Sequence, residues 1–157
     1  MRKRTYFDRF KSQGWPEPRE FEPFFLSAPE KCWSYLSGND NWSLSGKGAD
    51  GTENLHEGQG RIDIQLEMWG NPRLGVLIIY SKLGGGYKDV FTSKGDLSRL
   101  GELVRGLHDT PLPVGLFIPF DQGWKAVKEF IETDGALPKS IEWVSNHDLP
   151  PNTFPDP

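Results

Sequence analysis

The sequence has little cysteine, little histidine and no long apolar run, and each shortage excludes a class of protein. Cys32 is the single cysteine among 157 residues, so neither an internal disulfide nor a thiolate zinc site can form. The three histidines, His56, His108 and His147, show no metal-ligand spacing. The longest clean apolar run, residues 76–79, is far below the roughly 20 residues of a membrane helix. We therefore predict a protein without metal, cofactor or membrane segment.

Motifs for covalent and phosphate chemistry are missing as well. The chain contains no GxSxG, HExxH or CxxC pattern, and the glycine-rich stretch at residues 82–86 lacks the spacing of a phosphate-binding loop. We expect no catalytic residues and a protein that is not an enzyme. A single cysteine favours a reducing compartment, and no apolar segment follows the basic N-terminus. Both features predict a cytoplasmic location.

Charge is unevenly distributed along the chain. The net charge is −4, but residues 1–13 carry five basic side chains against one acidic one and contribute +4. The remaining 144 residues therefore carry −8. An acidic body argues against nucleic acid as a direct ligand, because phosphates are held by lysine and arginine. It suits a basic protein partner that is reached by electrostatic steering.

What the sequence does have is aromatic side chains and a domain-sized length. Six tryptophans and ten phenylalanines can build a core, and 157 residues fit one domain. Residues 1–26 are rich in proline and aromatics, which predicts an extended arm whose phenylalanine and tryptophan side chains pack onto the domain. We expect a core over residues 27–145 and a proline-rich, extended tail over 146–157.

Hydrophobic periodicity predicts a sheet followed by helices. Ile62, Ile64, Leu66 and Met68 alternate with polar residues, which is typical of a strand with one wet face. The larger elements expected are strands 61–69, 74–82 and 87–92 in an antiparallel meander, and helices near 97–107 and 122–134. The smaller ones are a helix from a Ser27 cap to residue 36, strands near 42–44, 116–118 and 141–143, a loop over 46–60, and Asp121 as a helix cap. These elements predict one α+β domain, with helices packed on one face of a mostly antiparallel sheet.

The most informative polar residues form a candidate binding surface rather than a reaction centre. Acids follow one another along the glycine-rich loop and the first long strand, and aromatics at the ends of two strands offer partner anchors. We expect these side chains to share one surface. The set is Asp50, Glu53, Glu57, Asp63, Glu67, Trp69, Tyr87 and Asp89. An enzyme that uses Asp63, Glu67 or Asp89 as paired carboxylates remains an alternative.

The C-terminal half resembles a known family. The run from Gly115 to Phe120 precedes, in order, Trp124, Ala126, Phe130, Thr133, Gly135, Pro138, Ile141 and Trp143. This ordered set is similar to the closing signature of the immunity protein one family, and the likeness extends over about residues 60–145. The matched positions indicate a fold: core aromatics, a helix, and a glycine that ends it.

The resemblance implies a non-catalytic cytoplasmic inhibitor from a bacterial polymorphic toxin system. Such a protein would bind the C-terminal domain of a cognate toxin and block its active site. Combined with the acidic body, this predicts a toxin that cuts or modifies nucleic acid, in competition between bacteria. The alternative is a non-catalytic binding module for a small molecule or a regulatory protein.

Overall fold

The structure, a computed structural model, describes residues 1–7, 14–33 and 40–156, and its main element is a six-stranded sheet. The strands of this sheet are β1 Arg2–Tyr6, β2 Asn41–Ala49, β3 Ile62–Asn71, β4 Gly75–Gly84, β5 Tyr87–Ser93 and β8 Trp143–Ser145. They lie in the order β1-β2-β3-β4-β5-β8, and every neighbouring pair is antiparallel. The predicted α+β fold is confirmed, and so is the meander of β3, β4 and β5.

The helices pack on one side of this sheet. They are α1 Pro18–Leu26, α2 Pro29–Cys32 and α3 Phe120–Glu132, the last of which confirms the helix expected near 122–134. Alternate residues of β3, from Ile62 to Met68, are buried under α1 and α3. Gly123 lets α3 approach β4 closely, because a Cβ there would lie 2.2 Å from a Val76 methyl carbon. We call this side of the sheet the helix face.

The opposite side of the sheet is covered at one end only. Leu77 of β4 packs there in a second, smaller cluster with Leu112, Leu116 and Phe117. The chain that builds this cover includes a two-stranded hairpin of β6 Leu103–Arg105 and β7 Pro111–Pro113. Elsewhere, alternate side chains of β1, β2 and β3 point away from both clusters and are exposed or partly exposed. We call this side of the sheet the open face.

The N-terminal arm is not extended throughout, but the expected packing of its aromatic side chains onto the domain is confirmed. Residues 2–6 form edge strand β1, and residues 18–26 form helix α1 despite the internal Pro23. Pro18 occupies the first helical position, where a missing N–H removes no hydrogen bond. Phe21 and Phe25, four residues apart, are fully or almost fully buried on the inner side of α1. The burial of these two side chains outweighs the cost of Pro23 within the helix.

The helix expected near 97–107 is also wrong. A 3-10 turn over Leu97–Arg99 is followed by strand β6, which pairs with β7. Gly101 and Gly106 flank that strand, and glycine weakens a helix by about 1 kcal/mol relative to alanine. The spacing of leucines in this stretch serves the second cluster instead, since Leu100 and Val104 pack against it.

The bounds of several shorter elements also differ from those expected. Ser27 ends α1 instead of capping a helix, and the continuation to residue 36 lies partly outside the described residues. The strand near 42–44 is nine residues long and takes four residues of the expected 46–60 loop. The strand expected near 116–118 is reduced to an antiparallel bridge between Ile118 and Val76, preceded by a 3-10 turn over 114–116. The final strand expected near 141–143 begins at Trp143, and Pro119, not Asp121, precedes α3. The tail is folded back at a 3-10 turn over 146–148 and at buried Thr153.

Candidate functional site

The eight candidate residues do not share one surface. Cross-strand pairing puts Lys82 opposite both Ile64 and Asp89, so Asp89 lies on the helix face with the buried Ile64. Tyr87, two residues before Asp89, lies on that face too. Asp63, Glu67 and Trp69 alternate with the buried residues of β3 and lie on the open face. The expectation that Tyr87 and Asp89 would join them across the hairpin is therefore wrong, because the register of β4 and β5 places them on the other side.

The three acids of the loop after β2 are already engaged within the chain. Asp50 Oδ2 lies 2.8 Å from Lys82 Nζ, and Glu57 Oε2 lies 3.6 Å from an Arg61 guanidinium nitrogen. Glu53 Oε2 accepts a hydrogen bond from the N-terminal ammonium of Met1 at 2.5 Å. That hydrogen bond is the main cause that lowers the pKa of Glu53. These three acids still add to the negative electrostatic field around the protein, but each is already paired with a cation of the same chain.

Asp63 is held in the same way. Arg61 donates two hydrogen bonds to its carboxylate, at 2.9 and 2.8 Å, and the Gly48 N–H donates a third at 3.2 Å. Burial acts to raise the pKa of Asp63, but these donors outweigh it, so the pKa lies below its ordinary value. Asp63 thus fixes the start of β3 against the end of β2, which is a structural task.

Carboxylate pairs suited to general acid and base chemistry are not brought together by this arrangement. Asp63 and Glu67 are four residues apart on one strand, which separates their backbones by about 13 Å. Asp89 lies on the opposite face from both. In the described residues, no group of three or more histidine, cysteine or acidic side chains is arranged to hold a metal ion.

A cleft on the helix face contains Asp89 and Tyr87. It has a volume of about 350 Å³ between β4, β5 and the turn that follows α3. Lys82 Nζ lies 4.1 Å from the centre of the Tyr87 ring, and Tyr80 donates a hydrogen bond to the Gly135 carbonyl at 3.2 Å. Lys82, between Asp50 and the Tyr87 ring, already fills the cationic position that a basic partner would take.

A second cleft, on the open face, contains Glu67 and Trp69. We call it the Glu67 cleft: it has a volume of about 250 Å³, and the residues around it are Tyr6, Asp40, Asn41, Glu67, Trp69 and the 106–110 turn between β6 and β7. The Leu107 N–H donates to the Asp40 carboxylate and ties that turn to the start of β2. Asn41 donates a 3.4 Å hydrogen bond to Glu67.

The sequence analysis missed several residues of the Glu67 cleft, among them Tyr6, Asp40 and His108. Tyr6 is 64% exposed on a strand that was expected to be an extended arm. Asp40 stands directly before β2, and His108 lies in a turn that was expected to be helical. Only the pairing of β1 with β2 and the closure of the β6–β7 turn place them beside Glu67, and neither contact has a local signal in the sequence.

Comparison with known proteins identifies the family. The family model of Immunity protein Imm1 matches residues 46–145, which is more than half of the chain. The chain belongs to this immunity protein family. No curated protein and no solved structure matches it. In the described residues, no helix is long and apolar enough to cross a membrane.

Family membership gives this immunity protein a toxin as its partner and indicates a binding protein rather than an enzyme. The signature residues that carried the resemblance are structural. Trp124 and Phe130 of α3 are buried in the main core, and Trp143 packs against that core and donates to the Pro138 carbonyl at 2.7 Å. The toxin contacts therefore have to be sought on the surface.

Proposed function

We propose that this immunity protein neutralises a toxin domain that acts on nucleic acid, by binding over its active site or substrate path in the cytoplasm of the producing cell. Membership of the family over residues 46–145 is the observation that carries the proposal. The charge of −8 on residues 14–157 supports the choice of toxin class. A toxin that binds a polyanion presents a basic cleft, and an acidic inhibitor complements it.

The open face is the surface we assign to the toxin. A stable interface needs about 20–30 residues from each partner. The open face offers exposed or partly exposed side chains on five strands, from Arg2 on β1 to Lys88 on β5, without a helix over them. Of the eight candidate residues, Asp63, Glu67 and Trp69 fall within it. Asp50, Glu53 and Glu57 lie on the loop at its edge, while Tyr87 and Asp89 lie behind it.

The helix-face cleft supports a second candidate function, the binding of a small molecule. Its volume of about 350 Å³ falls within the usual range of ligand sites, and Tyr80, Tyr87 and Phe91 give it apolar walls. A Tyr87→Ala variant that still protects cells from the toxin would separate this cleft from the proposed function.

Co-expression tests the proposal directly. The toxin domain encoded beside this gene, made inactive by substitution, should co-purify with the chain in equimolar amounts, and the chain should rescue cells that express the active toxin. In a purified assay, substrate nucleic acid should compete with the chain for the toxin. A complex that forms while the toxin still processes its nucleic acid would contradict the proposed blocking mechanism, and failure to bind or rescue would contradict the proposed function itself.

A further inference from the structure

Glu67 is a partly buried acid of the open face, and no basic side chain in the described part of the chain forms an ion pair with it. Among the described residues, no lysine or arginine nitrogen lies within 4.0 Å of its carboxylate, whereas Asp63 on the same strand holds Arg61 at 2.8 Å. Its one described hydrogen bond is the long one from Asn41. Burial raises the pKa of Glu67, so the folded protein holds this charge at a cost. A cost of this kind with no gain inside the fold points to a role at a binding site.

The strand register sets an aromatic ring across from this carboxylate. Tyr6 pairs with Ser43, and Ser43 pairs with Glu67, so the three side chains form one row on the open face. Neighbouring strands are about 4.8 Å apart, which puts Tyr6 and Glu67 about 10 Å apart at the backbone. The small Ser43 between them leaves a gap with an aromatic wall on one side and a carboxylate on the other.

The rest of the cleft has the same character. Trp69 lies next to Glu67 on the open face and is bounded by the β6–β7 turn, which Asp40 anchors. The residues around the cleft include two carboxylates, those of Asp40 and Glu67, and no lysine or arginine. The cleft therefore selects a cation that can also pack against aromatic rings. Arginine combines both properties, because its planar guanidinium stacks on aromatic faces and pairs with carboxylates through two hydrogen bonds.

We propose that the Glu67 cleft receives an arginine side chain of the toxin domain, stacked against Tyr6 and paired with the Glu67 carboxylate. This inference rests on the proposed function and adds to it the contact that anchors the complex. A toxin that acts on nucleic acid uses arginines to hold phosphates. Capture of such an arginine removes it from the substrate path, so the same contact would give both affinity and inhibition.

Substitution of Glu67 tests the inference, with the inactivated toxin domain encoded beside this gene as the probe. Glu67→Gln keeps the shape and the hydrogen bond from Asn41 but removes the charge. We expect it to weaken toxin binding at least about 30-fold, mainly through faster dissociation, because the arginine would be left without its carboxylate. Tyr6→Ala should weaken binding about tenfold through the lost stacking surface. Glu22→Gln on α1 is the matched control with the same charge change and should bind like the wild type.

A double-mutant cycle identifies the occupant. One toxin variant, with a single Arg→Gln change, should bind the wild-type chain more weakly than the unchanged toxin does. The same toxin variant and the unchanged toxin should bind the Glu67→Gln chain almost equally. The melting temperature of Glu67→Gln should be no lower than that of the wild type, which separates binding from folding. If Glu67→Gln binds the toxin as tightly as the wild type does, this inference is overturned while the proposed function stands. The same holds if Glu67→Gln weakens binding but no toxin arginine shows coupling to it. Sedimentation of the unbound chains adds one further outcome. If the wild type is a dimer and Glu67→Gln is a monomer, the cleft binds a second copy of this chain instead of the toxin. Absence of wild-type binding would overturn the proposed function with it.

Discussion

At the scale of single residues, two buried tryptophans in the same aromatic cluster differ in their hydrogen bonding. Trp33 and Trp42 are stacked with ring centres 3.7 Å apart, and both are fully buried. The indole N–H of Trp33 donates to the Phe24 carbonyl at 2.8 Å. The indole N–H of Trp42 is a buried donor with no partner in the described part of the chain.

We predict that Trp33→Phe is more destabilising than Trp42→Phe. Both substitutions lose similar apolar area, but the first leaves a carbonyl without its donor and the second removes an unpaired donor. The free energies of unfolding should differ by about 2 kcal/mol, measured by urea denaturation of the two variants. Equal losses would mean that the Trp42 N–H finds a partner in solution.

The carboxyl group of Glu67 makes stability depend on pH in a predictable direction. Burial raises its pKa in the folded state above the ordinary value of 4.5. The unfolded chain therefore ionises this group more readily, and its contribution to stability falls as pH rises from below 4.5 through the folded pKa. Glu67→Gln should raise the melting temperature at pH 7, and the gain should shrink as the pH falls below 4.5. A gain that is equal at both pH values would show that burial of the charge is not its cause.

The residues of the candidate site were predictable where a local pattern determines them. Period-two alternation along β3 is enough to place Asp63, Glu67 and Trp69 on one face. The pattern says nothing of which partner each acid meets, so the pairing of Asp63 with Arg61 and the isolation of Glu67 appear only in the structure. Tyr87 and Asp89 were misplaced because a face assignment across a hairpin depends on the register at its turn.

At the scale of elements, helix α1 shows how a short proline-containing segment becomes part of the core. Phe21 is fully buried and lies 5.6 Å from the Trp42 ring in a stacked arrangement. Phe21→Ala should cost about 3–5 kcal/mol, because the cavity it leaves is lined by rigid aromatic rings. Glu22→Ala, an exposed neighbour on the same helix, should cost less than about 0.5 kcal/mol. Chemical denaturation of both variants measures this, and a small loss for Phe21→Ala would return the segment to the surface.

The β6–β7 turn depends on one side chain from outside it. The Leu107 N–H donates to the Asp40 carboxylate, while inside the turn the Gly106 N–H donates to the Thr110 carbonyl at 2.8 Å. Asp40→Ala should cost about 1–3 kcal/mol, since it leaves this N–H without its acceptor. It should also speed hydrogen exchange at Leu107. Asp40→Asn keeps an acceptor oxygen and should therefore lose less stability than Asp40→Ala. If the hydrogen-exchange rate at the Leu107 amide is the same in Asp40→Ala as in the wild type, the turn is stable without the Asp40 side chain.

Elements with strong local signals were predicted correctly, and elements made by distant contacts were not. The meander of β3, β4 and β5 has clear alternation or a dense apolar run, and α3 has its apolar residues on one side. Strand β6 is three residues long and exists because β7 pairs with it. Strand β1 begins with three consecutive basic residues and exists because β2 offers it an edge. Neither partner is visible in the window of sequence that a periodicity argument reads.

At the scale of the whole molecule, the sheet separates two surfaces with different roles. The helix face is filled by the core and by the N-terminal segment, while the open face leaves Glu67 and its neighbours accessible at one end of the second cluster. Arg2 and Arg4 of β1 lie on the open face itself, because the strand register aligns them with Lys47 and Ser45, on the same face as Asp63 and Gln65. These basic side chains offset part of the negative charge of residues 14–157 on the open face. The approach of a basic toxin therefore depends on which side chains surround the Glu67 cleft.

Two matched substitutions test from which side the toxin approaches. Gln65 lies on the open face two residues before Glu67, and Gln122 lies on α3 at the helix face. Gln65→Lys and Gln122→Lys both change the net charge from −4 to −3. At an ionic strength of about 0.01 M, where charges act over about 30 Å, Gln65→Lys should slow association at least about threefold more than Gln122→Lys. The difference should shrink near 0.15 M, where that range falls to about 8 Å. Stopped-flow mixing with the inactivated toxin measures the rates. Equal slowing would mean that only the total charge steers the encounter, and stronger slowing by Gln122→Lys would place the toxin on the helix face.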